Sequence, residues 1–253
     1  MLRVGSSLVG YDVEASDGGA GKVQDILFDD TSWKIRWLVI DTGGWLSGRR
    51  VLIHPSAVGR LDPASAALQI KLARQTIENA PGSLLDRPVS QQQEKSLYDY
   101  YDWDPAWGGS SFGQGTMASD LEPVMYFDQD TLRGAAADGF RLDDGDPHLR
   151  SLSELRGYHV HATDGDIGHV QDMLLDDARW VIDYLIVDTS NWWMGQHVLI
   201  SPHAVSEIDC PGRKILLRIL KAKIRSSPPW KPAETVSSAY QTDLHGHYEW
   251  PPY

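Results

Sequence analysis

The 253-residue chain repeats itself at an offset of 147 positions, and that duplication constrains its fold more than any other feature. Gly10-Tyr11 matches Gly157-Tyr158, Asp17-Gly18 matches Asp164-Gly165, Gly21 matches Gly168, and Val23-Gln24-Asp25 matches Val170-Gln171-Asp172. Downstream, Asp29-Asp30 pairs with Asp176-Asp177, Trp33 with Trp180, Asp41-Thr42 with Asp188-Thr189, Trp45 with Trp192, and Val51-Leu52-Ile53 with Val198-Leu199-Ile200. From Gly10 to Val58, 26 of 49 positions are identical without a gap, so two copies of one folding unit are expected. The chain parses into a first unit over residues 1–80 with a tail over 81–106, a connector over 107–147, and a second unit over 148–227 with a tail over 228–253. Each unit is long enough to bury a modest core without disulfide or metal staples.

Within a unit the pattern is β. Leu8 to Ala15 alternates loosely into the turn cluster Ser16-Asp17-Gly18-Gly19, where Asp and Gly accept positive φ. Gly21–Phe28 and Lys34–Ile40 read as two strands joined by Asp29-Asp30-Thr31-Ser32, with Ile35, Trp37 and Val39 on one face. Val51-Leu52-Ile53 is continuously apolar, which predicts a central strand or one buried on both faces. Leu68, Ile70 and Leu72 alternate with Gln69 and Lys71 in a last strand. Five or six short strands with frequent turns predict a small antiparallel barrel, a closure that leaves no edge exposed. Ser90 to Tyr101 then switches to helical spacing, with a capping box of Ser90 and Gln93, and Leu244, Tyr248 and Trp250 echo Leu97, Tyr101 and Trp103 in the second tail. The fold class expected is therefore all-β, two tandem barrels each followed by a short helical tail covering a barrel surface.

A net charge of −12 argues against general nucleic-acid binding, since carboxylates in excess repel phosphates. The basic stretch holding Arg213, Lys214, Arg218, Lys221, Lys223 and Arg225 interleaves with apolar residues, as the solvated face of an amphipathic element does. The chain has no apolar run of spanning length and no secretory leader, which predicts a cytoplasmic protein. The single cysteine, Cys210, faces proline in the other copy and reads as incidental.

Polar identity between copies is where chemistry would be preserved. Asp29-Asp30, Asp41-Thr42 and their partners sit at strand ends, where a carboxylate closes a turn by accepting backbone N–H groups. Asp25 and Asp172 lie inside a strand, lack that explanation, and are candidate contacts. His159, His161 and His169 could approach one another on a hairpin, but Asp12, Glu14 and Lys22 hold those places in the first copy, a solvated-face pattern that gives no metal site. The sequence has no nucleophile elbow and no phosphate-loop motif, so no catalytic residue, cofactor or metal is expected. Trp45, Trp192 and Trp193 fall in turns where large rings are hard to bury, and are candidate partner contacts; Trp33 and Trp180 read as core.

The Gly-Tyr strand start, the Asp-Gly turn, Gly168-His169-Val170-Gln171-Asp172, Asp176-Asp177, Trp180, Tyr184 to Thr189, Trp192-Trp193 and Val198 to Pro202 together resemble PRC-barrel domains. That module is shared by the cytoplasmic part of the photosynthetic reaction-centre H subunit and the ribosome-maturation factors, and the tail ending Tyr248 to Tyr253 resembles the H-subunit-like bacterial members. The resemblance implies a six-stranded barrel that offers a binding or assembly surface without chemistry of its own. The expected partner is a protein, at a peripheral membrane complex or elsewhere, with the chain a homo-oligomer or its two barrels an intramolecular pseudo-dimer. Alternatives are an H-subunit-like factor tuning electron or proton transfer, a ribosome-assembly factor, and a metal-dependent enzyme.

Overall fold

The computed structural model describes residues 1–46, 49–79, 97, 99–101, 148–190, 197–231 and 236–251. Among these described residues the chain is mostly β, with two tandem seven-stranded sheets and few short helices. In the first half the strands are β1 (Leu2–Val4), β2 (Asp12–Ala15), β3 (Gly18–Asp29), β4 (Ile35–Asp41), β5 (Arg50–Ile53), β6 (Val58–Asp62) and β7 (Ala67–Ile70), followed by the helical turn α1 (Arg74–Glu78). The second half repeats the order: β8 (Leu149–Ser151), α2 (Leu152–Leu155), β9 (His159–Ala162), β10 (Gly165–Asp176), β11 (Val181–Asp188), β12 (His197–Ile200), β13 (Val205–Asp209), β14 (Lys214–Leu217), α3 (Lys221–Arg225) and α4 (Ser238–Tyr248).

Six strands of each half lie in the path β5-β4-β3-β2-β7-β6 or β12-β11-β10-β9-β14-β13. The expected closed barrel is corrected here, because among the described residues neither path returns to its start. A 3₁₀ turn, Pro55–Ala57 or Pro202–Ala204, links the two end strands, and its proline has no N–H for a ladder. Val51-Leu52-Ile53 is accordingly an end strand rather than a central one, yet it is buried on both faces: Val51 and Ile53 enter the main core while Leu52 joins Trp37, Val39 and Leu97 outside it. The antiparallel expectation also has one exception per half, since β2 pairs parallel to β7 and β9 parallel to β14. These are the first and last barrel strands of each unit.

The twelve-residue β3 and β10 are the spine of each sheet. Ala20, Val23, Ile26 and Phe28 turn inward along β3, and the step of three between residues 20 and 23 and again between 23 and 26 departs from strict alternation. A bulge at Gln24 between Val23 and Asp25 accounts for the second step, and β10 carries its equivalent between Val170 and Asp172. Gly21 and Gly168 are needed at the bend: both have positive φ, and a Cβ on either would come within 2.8 or 2.9 Å of the carbonyl carbon of Asp41 or Asp188.

β1 and β8 leave their own halves. β1 pairs with β10, Arg3 opposite Leu175, and β8 pairs with β3, Arg150 opposite Phe28, at equivalent registers. The halves thus exchange their first strands and share a hydrophobic core that includes Leu8, Phe28, Leu152, Leu155, Leu175 and both Trp33 and Trp180. The second tail is helical: Ser237 caps α4 by accepting the Tyr240 amide, and Leu244, His245 and Tyr248 are buried, with His245 Nε2 2.7 Å from the Tyr184 hydroxyl of β11. The Ser90 and Gln93 capping box and the connector lie outside the described residues.

Candidate functional site

The richest cluster of repeat-preserved residues is the seam between the halves, built from the two hairpin tips β3–β4 and β10–β11. Asp29 closes the first tip by accepting the Thr31 amide at 3.2 Å, the Ser32 amide at 2.7 Å and the Ser32 hydroxyl at 2.8 Å. Asp176 accepts the Ala178 and Arg179 amides at 2.9 and 2.8 Å; burial pushes its carboxyl up, but these N–H groups outweigh it and hold the carboxyl below its ordinary value. The turns then place Trp33 and Trp180 at φ 60° and 53°, both buried. Their carbonyls accept across the seam: Ile35 donates to Trp180 at 2.8 Å and Ile182 donates to Trp33 at 2.9 Å, flanking the bridge between Lys34 and Val181. Lys34 and Val181 are themselves equivalent, so a pseudo-twofold axis passes between them.

Asp25 and Asp172 face the exchanged segments. Asp25 accepts the Ser151 hydroxyl, the Ser153 hydroxyl at 2.7 Å and the Ser153 amide at 3.2 Å, all from the other half. Asp172 accepts the Ser6 amide at 3.1 Å, the equivalent bond in the opposite direction, and lies 3.8 Å from Arg156. Asp30 and Asp177 extend the pattern. The Asp30 carboxylate lies 2.7 Å from Arg150 and 2.9 Å from His148 Nδ1, its amide donates to the His148 carbonyl, and Asp177 bonds Arg3. Strand exchange places an arginine of one half against a carboxylate of the other, twice. Sequence reasoning missed Arg3, Ser6, Arg150 and Ser153, although a signal was present: Leu2, Arg3, Ser6 and Leu8 match Leu149, Arg150, Ser153 and Leu155 upstream of the main repeat.

A further carboxylate pair works locally, Asp41 accepting the Gly43 amide at 2.9 Å and Asp188 the Ser190 amide at 2.8 Å. These Asx turns open the loops that follow β4 and β11. Trp45 lies in the first of them, in the 3₁₀ turn Gly43–Leu46, and Trp192 and Trp193 lie in the second, outside the described residues. His159 and His169 are cross-strand neighbours, and the equivalent places hold the ion pair of Asp12 and Lys22 at 2.6 Å. His161 points elsewhere, to Asp166 at 2.7 Å. Among the described residues no three His, Cys, Asp or Glu side chains converge as a metal site requires. Burial raises the Cys210 thiol above its ordinary value, away from the thiolate form.

Of the basic stretch, Arg213 lies 4.9 Å over the Tyr158 ring and Lys223 sits 3.7 Å from Glu249, while Ile215 and Leu217 of β14 face the core. A cleft of about 640 Å³ runs along one side of the seam, lined by Asp30, Trp33, His148, Arg150, His203 and Arg218 among others. No helix among the described residues is long and apolar enough to cross a membrane.

The model of one family, described as the PRC-barrel domain, matches the chain twice, over residues 4–77 and 147–224. These two segments cover more than half of the chain and hold both spines, both hairpin tips, the exchanged strand β8 and the last residue of β1. No curated protein matches it.

Proposed function

Because the chain belongs to the PRC-barrel family, we propose that it acts as a non-catalytic binding and assembly adaptor, presenting two barrel units to a protein partner. One observation carries this reading: eight carboxylates preserved between the copies are engaged in holding the fold. Asp25, Asp30, Asp172 and Asp177 tie the halves together, and Asp29, Asp41, Asp176 and Asp188 close turns. An enzyme duplicated in this way would keep acids or bases directed at a substrate instead.

The partner surface in this reading is the pair of loops after β4 and β11. Both copies keep Asp-Thr at the loop start and a tryptophan within, and tryptophan is a residue that carries interface energy when it is not needed by the core. The test is chemical crosslinking in the native host followed by purification of the full chain, as wild type and with Trp45, Trp192 and Trp193 replaced by alanine. The adaptor reading expects a protein crosslinked to the wild type and lost from the variant, with thermal unfolding unchanged. Equal recovery by both would refute the loop surface, and turnover of a small molecule by the purified chain would refute the non-catalytic reading.

A further inference from the structure

We infer that Gly5 and Leu152 form a hole and a knob that set one half of the chain against the unlike half. The two residues are equivalent in the duplication, each the first of the turn that follows an exchanged strand. They also meet across the pseudo-twofold axis: a Cβ built on Gly5 would fall well inside contact distance of Leu152 Cδ1, and 3.5 Å from its Cδ2 and Cγ. Both residues are buried, Leu152 completely.

Gly5 is required for space and not for backbone conformation. Its φ lies outside the left-handed region, unlike Gly10 and Gly21, so an L side chain could adopt its backbone if the leucine were absent. The pair is therefore complementary in volume: one position is empty because its equivalent is full. Pairing two leucine-bearing halves would force two side chains into room for one, and pairing two glycine-bearing halves would leave that room as a cavity. A second asymmetry bears on one of the two like pairings. Asp25 accepts the Ser151 hydroxyl, but the residue equivalent to Ser151 in the first half is Val4, so a first half paired with its like would lose that bond.

The surface that each half presents at the seam thus selects the other half, in the same chain or in a second copy of it, and discriminates against its own kind. This holds whether or not the adaptor reading is right, since it concerns the seam and not the outer loops.

The experiment is a double-mutant cycle on the full-length chain, read from urea unfolding. In the wild type, Gly5→Ala is expected to lower the folding equilibrium constant by about tenfold, because the new methyl displaces a packed leucine. In the Leu152→Ala background the same substitution is expected to raise it about threefold or more, because the methyl now fills part of the cavity. That reversal of sign is the signature. Gly5→Ala costing the same in both backgrounds would overturn the inference. A larger exchange, Gly5→Leu with Leu152→Gly, is expected to restore most of what either single change loses; a combined loss equal to or greater than the sum of the two would likewise overturn it. Gly5→Ala with Leu152→Ala is the gentler pair and keeps the test decisive if the larger variants fail to fold.

Discussion

Replacing Asp25 by alanine should weaken the attachment of the second half's exchanged strand to the first half. Asp25 accepts three bonds from that segment, the Ser151 hydroxyl, the Ser153 hydroxyl and the Ser153 amide, besides the amide of its own neighbour Ile26. A hydrogen bond to a charged group contributes about 1.5–3 kcal/mol when buried. The site is only partly buried and the exposed Ser153 regains water after the substitution, so about 2–4 kcal/mol is expected for the three together rather than their full sum. Equilibrium urea unfolding of the full chain, followed by tryptophan fluorescence, reports directly because Trp33 and Trp180 lie at the seam. The partners can be separated from the general effect of the substitution by repeating it in a Ser151→Ala, Ser153→Ala background, where the loss should fall to about 1 kcal/mol or less. A loss below about 0.5 kcal/mol in the wild type, or an undiminished loss in the serine-free background, would refute the assignment of Asp25 to the exchanged strand.

Burial, with Arg36 nearby, lowers the His54 pKa to about 4, so its neutral form stabilises the fold fully above pH 6.5 and that stability is lost as pH falls towards 4. The loss amounts to about 3 kcal/mol, and His54→Ser, which installs the residue found at equivalent position 201, should flatten this part of the pH dependence in urea titrations at pH 7 and 4.5. Asp183 behaves oppositely: burial pushes its pKa up to about 6 against the pull of Arg179, so stability present below pH 4 is lost as pH rises through 6. Asp183→Asn should therefore stabilise the chain by about 1–3 kcal/mol at pH 7.5 and by nothing at pH 3.5, measured as the shift in unfolding free energy. Gly21→Ala should cost about 3 kcal/mol or more because its Cβ would press on the Asp41 carbonyl at a positive φ, whereas Gly19→Ala, with open space around it, should change thermal stability little.

Much of the fold was legible because its signals are local. The Asp-Gly turns and the inward-facing Ile215 and Leu217 follow from side chains a few residues apart, whereas the expected common face of Ile35, Trp37 and Val39 does not hold: Ile35 enters the main core while Trp37 and Val39 join the cluster outside it, because a register shift between Leu27 and Phe28 interrupts the alternation opposite them. The carboxylates at strand ends were legible for the same reason, since Asp29, Asp41, Asp176 and Asp188 bond amides two or three residues away. Asp25 and Asp172 were visible as candidates but not interpretable, because their donors lie 128 and 166 residues distant. The end-strand place of Val51-Leu52-Ile53 was hidden as well: an apolar run records burial on two faces and does not record whether a second strand or a packed cluster covers it.

Duplication, strand positions and turn chemistry are thus properties of the amino-acid sequence taken alone, fixed by neighbours along the chain. Which half each first strand joins was settled only by the tertiary structure. Leu2-Arg3 and Leu149-Arg150 are the same in both copies, and so are Asp30 and Asp177 that receive the arginines, so the contacts can be written equally well within a half or between halves. The seam shows the distinction where the copies differ in volume, at Gly5 and Leu152, because two buried side chains cannot occupy one space and packing has to choose between them.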